Sequence, residues 1–271
     1  MKRKYDLAMS IGGACGCSKS LRNAGLQFSS FPFDWLNGAT IRTRADVVRD
    51  DFKGWLEEAN LQRLPDPEGI ISEAHWRDMS LGLSFVHDFD RLVPMHEALP
   101  AVKEKYARRI AQLYSRIGQA KKVLLMWTDV PTSPLVTDED LAYVRRTMSE
   151  KFPGVAFDVI AFRWRQGVRL EDREEREQDG IRSLFFDYMD KESDIAFGVA
   201  DDKFLGKWLA TEYETVDYRS PEDIRRWKRI AKKNLYHKFG GKSLVGYWIG
   251  KMEYKLYKHL RKQLKRKGVV S

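Results

Sequence analysis

KKVLLMWTDVPTSPLVTDEDLAYVRRTMSEKFPGVAFDVIAF, residues 121–162, decides the fold. Val123–Trp127 is an unbroken apolar run of strand length, the pattern of a strand covered on both faces. Asp138–Lys151 reads as a helix whose first turn carries Asp138, Glu139 and Asp140, where the helix dipole favours acids. Val155–Phe162 reads as the next strand. A helix over about Ala101–Ile117 precedes Val123, so two helix-then-strand units stand in succession, which implies parallel pairing through crossover helices.

Towards the N-terminus the same alternation continues. Tyr5–Ile11 reads as a strand, Gly12-Gly13 as its exit turn, and Cys15–Asn23 as a short helix stopped by Gly25. An aromatic block follows, Phe31-Pro32-Phe33-Asp34-Trp35. A helix is expected from about Arg44 to Glu58, with Val47, Val48, Phe52, Trp55 and Leu56 on one side, and Pro65 and Pro67 end that region. Ile70–Ala74 and Leu81–Val86 read as strands around a polar turn at Arg77 and Asp78, leading into His87-Asp88-Phe89-Asp90. Towards the C-terminus, the charged segment Glu171–Asp179 reads as an exposed loop, with Ser183–Tyr188 and Asp194–Val199 closing the sheet edge. The expected fold is α/β, a mostly parallel sheet flanked by helices over residues 1–220, with a basic helical C-terminal extension over residues 221–271.

Composition narrows the function classes. Of 271 residues, 43% are hydrophobic and 12% aromatic, which excludes a disordered chain. Cys15 and Cys17, the only cysteines, stand too close to staple such a chain, so a disulfide scaffold is excluded and the context reads as reducing. The net charge of +9 is unevenly placed: Pro221–Ser271 holds 16 Lys and Arg against 3 Asp and Glu, while the preceding residues sum to −4. Such a tail seeks an anionic partner. Within it Val245, Trp248, Ile249, Met252, Leu256, Leu260 and Leu264 recur at helical steps between basic residues, a pattern suited to an anionic membrane surface or to docking on the protein's own core. No nucleic-acid motif accompanies the charge, so that partner is disfavoured. No run of 18 apolar residues is available to span a bilayer. Lys2, Arg3 and Lys4 before Leu7–Cys15 superficially resemble a lipoprotein signal, but Asp6 interrupts it and a buried first strand accounts for the segment. A cytoplasmic protein, with peripheral contact at the inner membrane face, is the expectation.

The chemistry gathers at the first turn. Cys15 follows a glycine turn at a helix start, where unpaired N–H groups and the positive dipole end favour thiolate. The N–H groups around Gly12, Gly13 and Gly16 also suit an oxyanion. Against this stands a small buried residue that merely lets helix approach strand. Cys17 lies about 200° away on the helix and is assigned to packing. A Cys-x-Cys pair without further ligands does not make a zinc site, and neither metal nor cofactor is expected. Of the five histidines, His87 follows an apolar strand and precedes Asp88 and Asp90, as a base beside an orienting carboxylate would. His237 and His259 belong to the basic tail.

Ser10-Ile11-Gly12-Gly13-Ala14-Cys15, Leu21-Arg22, the Phe31–Trp35 block, His87-Asp88-Phe89, Lys105-Tyr106-Ala107-Arg108-Arg109 and the strand Lys122–Trp127 together resemble a bacterial family of unknown-function domains described as papain-like cysteine peptidases. The resemblance implies a hydrolase in which Cys15 attacks an acyl carbon of a peptide or other acyl substrate, His87 acts as base and a carboxylate orients the imidazole. Asp34 is favoured for that third role, with Asp88 the alternative. Ser10, Arg22 and Trp35 are candidate substrate contacts. Two rival classes stay open: a glycan-assembly enzyme or accessory using Arg22, Arg42 and Arg44 on phosphate-bearing sugar donors, and a noncatalytic module that binds membrane through its tail.

Overall fold

A computed structural model of the chain describes residues 1–65, 73–130, 135–189 and 200–225. It divides into two compact units, Met1–Asp217 and Tyr218–Ser271.

The first unit is built on a five-stranded sheet. Its strands are β2 (Leu7–Ser10), β7 (Lys122–Thr128), β8 (Ala156–Trp164), β10 (Ile181–Phe186) and β9 (Glu174–Gln178), ordered β2-β7-β8-β10-β9. β2, β7, β8 and β10 run parallel, and β9 pairs antiparallel with β10. A short parallel pair joins β1 (Arg3–Tyr5) to β11 (Tyr213–Thr215). The single strand expected over Tyr5–Ile11 is therefore two. Asp6 separates them because its carboxylate accepts from Lys121 N–H at 2.8 Å and Lys122 N–H at 2.9 Å, pinning the bend to the start of β7.

Side chains alternate across the sheet. Ala8, Leu124, Met126, Ile160, Phe162, Leu184 and Phe186 share one face, packed under Cys17 and Leu21 of α1 (Cys15–Asn23) and Leu205 and Leu209 of α5 (Asp202–Glu212). The other face carries α4 (Asp138–Lys151), against which α2 (Ile41–Arg49) lies. Rings of Tyr114, Phe152 and Phe157 meet there at centroid separations of 5.8 and 6.1 Å, joining α3 (Met95–Gln119) to α4 and β8. α1 leaves β2 over one face while α4 leaves β7 over the other, so the carboxyl ends of two neighbouring strands open onto a crevice.

The mostly parallel expectation needs correction, because a second, wholly antiparallel sheet is inserted between α1 and β7. Its strands are β3 (Leu36–Gly38), β4 (Leu61–Arg63), β5 (Glu73–Asp78) and β6 (Leu83–Asp90), ordered β3-β6-β5-β4. Arg77 and Asp78, read as a turn, lie in β5. The charged segment read as a loop contains β9, an edge strand whose Glu174, Glu175 and Glu177 pair with Arg176, Arg182 and Arg3. Charge on an edge strand blunts unwanted pairing. The helix expected to Glu58 ends at Arg49, beyond which Asp51, Phe52 and Leu56 take φ of 55°, 56° and 56°.

In the second unit a helix opens at Pro221, with Ser220 Oγ accepting from Asp223 N–H at 3.0 Å. The amphipathic pattern from Val245 to Leu264, His237, His259 and the strand expected at Asp194–Val199 lie outside the described residues. Among the described residues no helix is long and apolar enough to cross a membrane.

Candidate functional site

β2 ends against β7, with Ile11 N–H donating to Met126 O at 3.0 Å, and the next two residues pass so close to β7 that no side chain fits. A Cβ on Gly12 would lie 2.8 Å from Trp127 Cα, and one on Gly13 only 2.1 Å from the Thr128 carbonyl oxygen. The glycine pair thus brings the head of α1 to the carboxyl edge of the sheet. Gly13→Ala is expected to cost about 1–3 kcal/mol through forced backbone displacement. Gly118→Ala, in open space on α3, should instead stabilise by roughly 0.5–1 kcal/mol. Urea unfolding of both variants reads the contrast, and equal midpoints would contradict it.

α1 begins at Cys15 with Ala14 as its N-cap, which supplies no side-chain hydrogen bond. Cys15 is 9% exposed. Gly16 lets Ala200 approach, its would-be Cβ lying 3.1 Å from the Ala200 Cβ. Cys17 is fully buried in the core; its thiol donates to Met126 O at 3.2 Å, and burial pushes it up to about 12. Ser10 is also fully buried and gives its hydroxyl oxygen to Gly12 N–H at 3.3 Å, inside the turn.

His87 is presented by an irregularity in β6. Register runs from Ala74↔Phe89 directly to Trp76↔Phe85, so Val86, His87 and Asp88 stand opposite His75 alone. Such bulges re-aim side chains that simple alternation would place otherwise. Phe85 and Phe89 both remain in the core, their rings 6.4 Å apart, while His87 is thrown outward. Its ring meets Trp35 edge-on, centroids 6.4 Å apart. Partial burial, helped by Lys19 and Lys105 and opposed by Glu73 and Asp88, holds the imidazole below its ordinary value. The ring borders a cleft of about 300 Å³ with Lys19, Trp35, Asp88, Lys105 and Arg109. Lys19 stands one helical turn after Cys15 on α1, and Cys15 itself is not among the residues that line this cleft. Among the described residues no hydrogen bond joins the Cys15 thiol to His87.

Both candidate acids have other partners. Asp34, fully buried, accepts from Arg22 at 3.0 Å, Gln27 at 2.7 Å and Phe31 N–H at 2.9 Å. Burial pushes its carboxyl up against the pull of Arg22. Its carbonyl oxygen accepts from Ser18 Oγ at 2.8 Å, fastening the Phe31–Trp35 turn to α1. Asp88 accepts from Lys105 and, at 2.9 Å, from Tyr106. Neither carboxylate is hydrogen-bonded to His87 among the described residues. Arg22 also reaches Ser29 O at 2.9 Å and lies over Trp35 at 5.8 Å, so it braces the same turn. Of the other arginines weighed for phosphate, Arg42 pairs with Asp140 and Glu139. Arg44 is fully buried, donating to Leu36 O and Gly38 O at 3.2 and 2.7 Å, with burial pulling it down to about 10.

Lys19 and Arg109 beside His87 escaped the sequence reading as site residues. The i,i+4 spacing of Lys105 and Arg109 in a quoted motif was the available signal for a basic wall there.

No curated protein and no solved structure matches the chain. A family model described as "Putative papain-like cysteine peptidase" matches residues 6–167. That interval holds the glycine turn, Cys15, the Phe31–Trp35 turn and the irregular strand bearing His87, and it spans more than half of the sequence; the chain belongs to this family.

Proposed function

We propose that the protein is a thiol-dependent acyl hydrolase in which Cys15 is the nucleophile and His87 the general base. His87 takes the Cys15 proton as Sγ bonds to the acyl carbon, and the N–H groups at the uncapped head of α1 receive the oxyanion. Collapse of the tetrahedral intermediate breaks the bond to the leaving group, which takes the proton from His87. Water, deprotonated by the same imidazole, then attacks the thioester, releasing the acid and restoring the thiol. Asp34 acts as a positioning residue, holding the turn whose Trp35 ring braces His87.

The observation that supports this reading is the β6 irregularity, which takes His87 out of regular strand register and sets it in a cleft shared with Lys19, one helical turn from Cys15 on α1. p-Nitrophenyl acetate tests it. Acylation should appear as a burst of p-nitrophenolate that Cys15→Ser removes and His87→Ala slows by about 10²–10⁴-fold. In the native protein the acid limb of the pH–rate profile should fall below the ordinary histidine value, because burial lowers the His87 pKa. An unchanged burst in His87→Ala would remove the imidazole from the mechanism.

A further inference from the structure

Where the chains leaving β2 and β7 part to opposite faces of the sheet, a cleft of about 430 Å³ opens. Crevices outside the carboxyl ends of parallel strands, at such a reversal, are where open α/β sheets bind ligands. Gly13 and Trp127 line it from the sheet, Val130, Leu135 and Val136 give it an apolar side, and the head of α2 at Thr40 and Ile41 lies across. The wall is held in place: Asp129 accepts from Trp127 Nε1 at 2.9 Å and from Val136 N–H at 3.2 Å.

Two guanidinium groups border this cleft and they differ in state. Arg42 is neutralised by Asp140, itself a lining residue, and by Glu139. Arg77 extends from β5 with no ion pair or hydrogen bond among the described residues; its Nε is sealed from solvent, and its two terminal nitrogens are the donors left for the cleft. The paired terminal N–H groups of a guanidinium fit a carboxylate through two parallel bonds.

We propose that the cleft is a carboxylate-binding subsite, with Arg77 gripping the carboxylate and Trp127, Val130, Leu135 and Val136 covering an apolar body attached to it. Among the described lining residues Arg77 is the cation without a counter-ion, which matches a monoanion, and the Arg42–Asp140–Glu139 cluster, with one negative charge in excess, disfavours a dianion such as phosphate. Gly13 sets the subsite two residues from Cys15 in the chain. Resting on the hydrolase reading, this names the substrate class as a carboxylate-bearing acyl compound, such as a peptide end or an acidic side chain; the binding itself needs no thiol.

Isothermal titration of the full-length Cys15→Ser protein with N-acetylleucine, its neutral amide and inorganic phosphate tests the assignment. The acid should bind at least about tenfold tighter than the amide, and tighter than phosphate. Arg77→Ala and Arg77→Lys should each weaken the acid by about tenfold or more, the lysine because it keeps the charge but loses the fork. If Arg77→Ala does not fold, the lysine variant carries the comparison at an unchanged melting temperature. Equal affinity for acid and amide, preference for phosphate, no binding of the acid, or a folded Arg77 variant with native affinity would overturn the proposal. p-Nitrophenyl acetate carries no carboxylate, so failure of the thiol chemistry and failure of this subsite give separate results.

Discussion

Iodoacetamide at pH 7 is expected to modify Cys17 at least about a thousandfold more slowly in the folded protein than in the same chain unfolded in guanidinium, leaving Cys15 as the one thiol alkylated in the native state. The two cysteines are separated by a single residue, and both are buried, Cys17 completely and Cys15 to 9% exposure. Cys17 is fully buried, and burial raises its thiol to about 12. Each unit of pKa above a free thiol costs a tenfold loss of thiolate, so roughly three units leave about one-thousandth of the reactive form before steric exclusion is counted. Cys15 stands at the head of α1, where it retains some exposure. Peptide mapping after timed quenching would give both rates in one experiment. Similar slow rates at the two positions would deprive the proposed hydrolase of its nucleophile, whatever the family resemblance.

The packing of Cys17 in the core was legible in the sequence, because a helix turns by about 100° per residue and two cysteines spaced i,i+2 face different ways. Elements with strong local signals were equally legible. α4 begins where Thr137 and Asp140 exchange hydrogen bonds in a capping box, and α1 stops before Gly25, whose φ of 70° a side chain rarely adopts. What escaped depended on how segments pair once folded. The β9 charges read as a solvated loop because the segment has no apolar face, and its strand shows only through pairing with β10, where Glu175 meets Arg182, and through the ion pair of Glu177 with Arg3, 174 positions away. The end of α2 was overrun because apolar spacing persists through Phe52, Trp55 and Leu56 while the backbone has already left the helix. The outward turn of His87 follows from the mismatch between β5 and β6, and no single strand records its register with another. Asp34 illustrates the middle case. Its burial was foreseeable from the aromatic block around it, whereas its commitment to Arg22, Gln27 and Phe31 N–H required the turn to be folded.

That commitment makes Arg22→Met the substitution with the largest expected cost to stability, about 3–5 kcal/mol at pH 7. Asp34 has no solvent exposure, and Arg22 is the cation hydrogen-bonded to it, so truncation strands a carboxylate in the interior. The pH dependence has a definite sign. Burial already raises the folded-state pKa of Asp34 above its unfolded value, and loss of Arg22 raises it further. Between the unfolded and folded values the native state binds more protons, so stability falls as pH rises through that window. The deficit of Arg22→Met relative to the native protein should therefore be greatest near neutrality and shrink on acidification. Arg22→Met combined with Asp34→Asn should recover part of the loss, since the pair is removed together and no charge is left behind, and its remaining deficit should no longer vary with this titration. Urea midpoints at pH 5 and pH 7 for the native protein and both variants supply the comparison; a deficit independent of pH would mean that Arg22 acts through packing on Trp35 alone. The same measurement bears on the site, because the turn that Asp34 anchors ends in the ring that meets His87. The double variant should restore stability more fully than it restores acylation, since removing the buried charge does not replace the guanidinium that lies over Trp35 in the native protein.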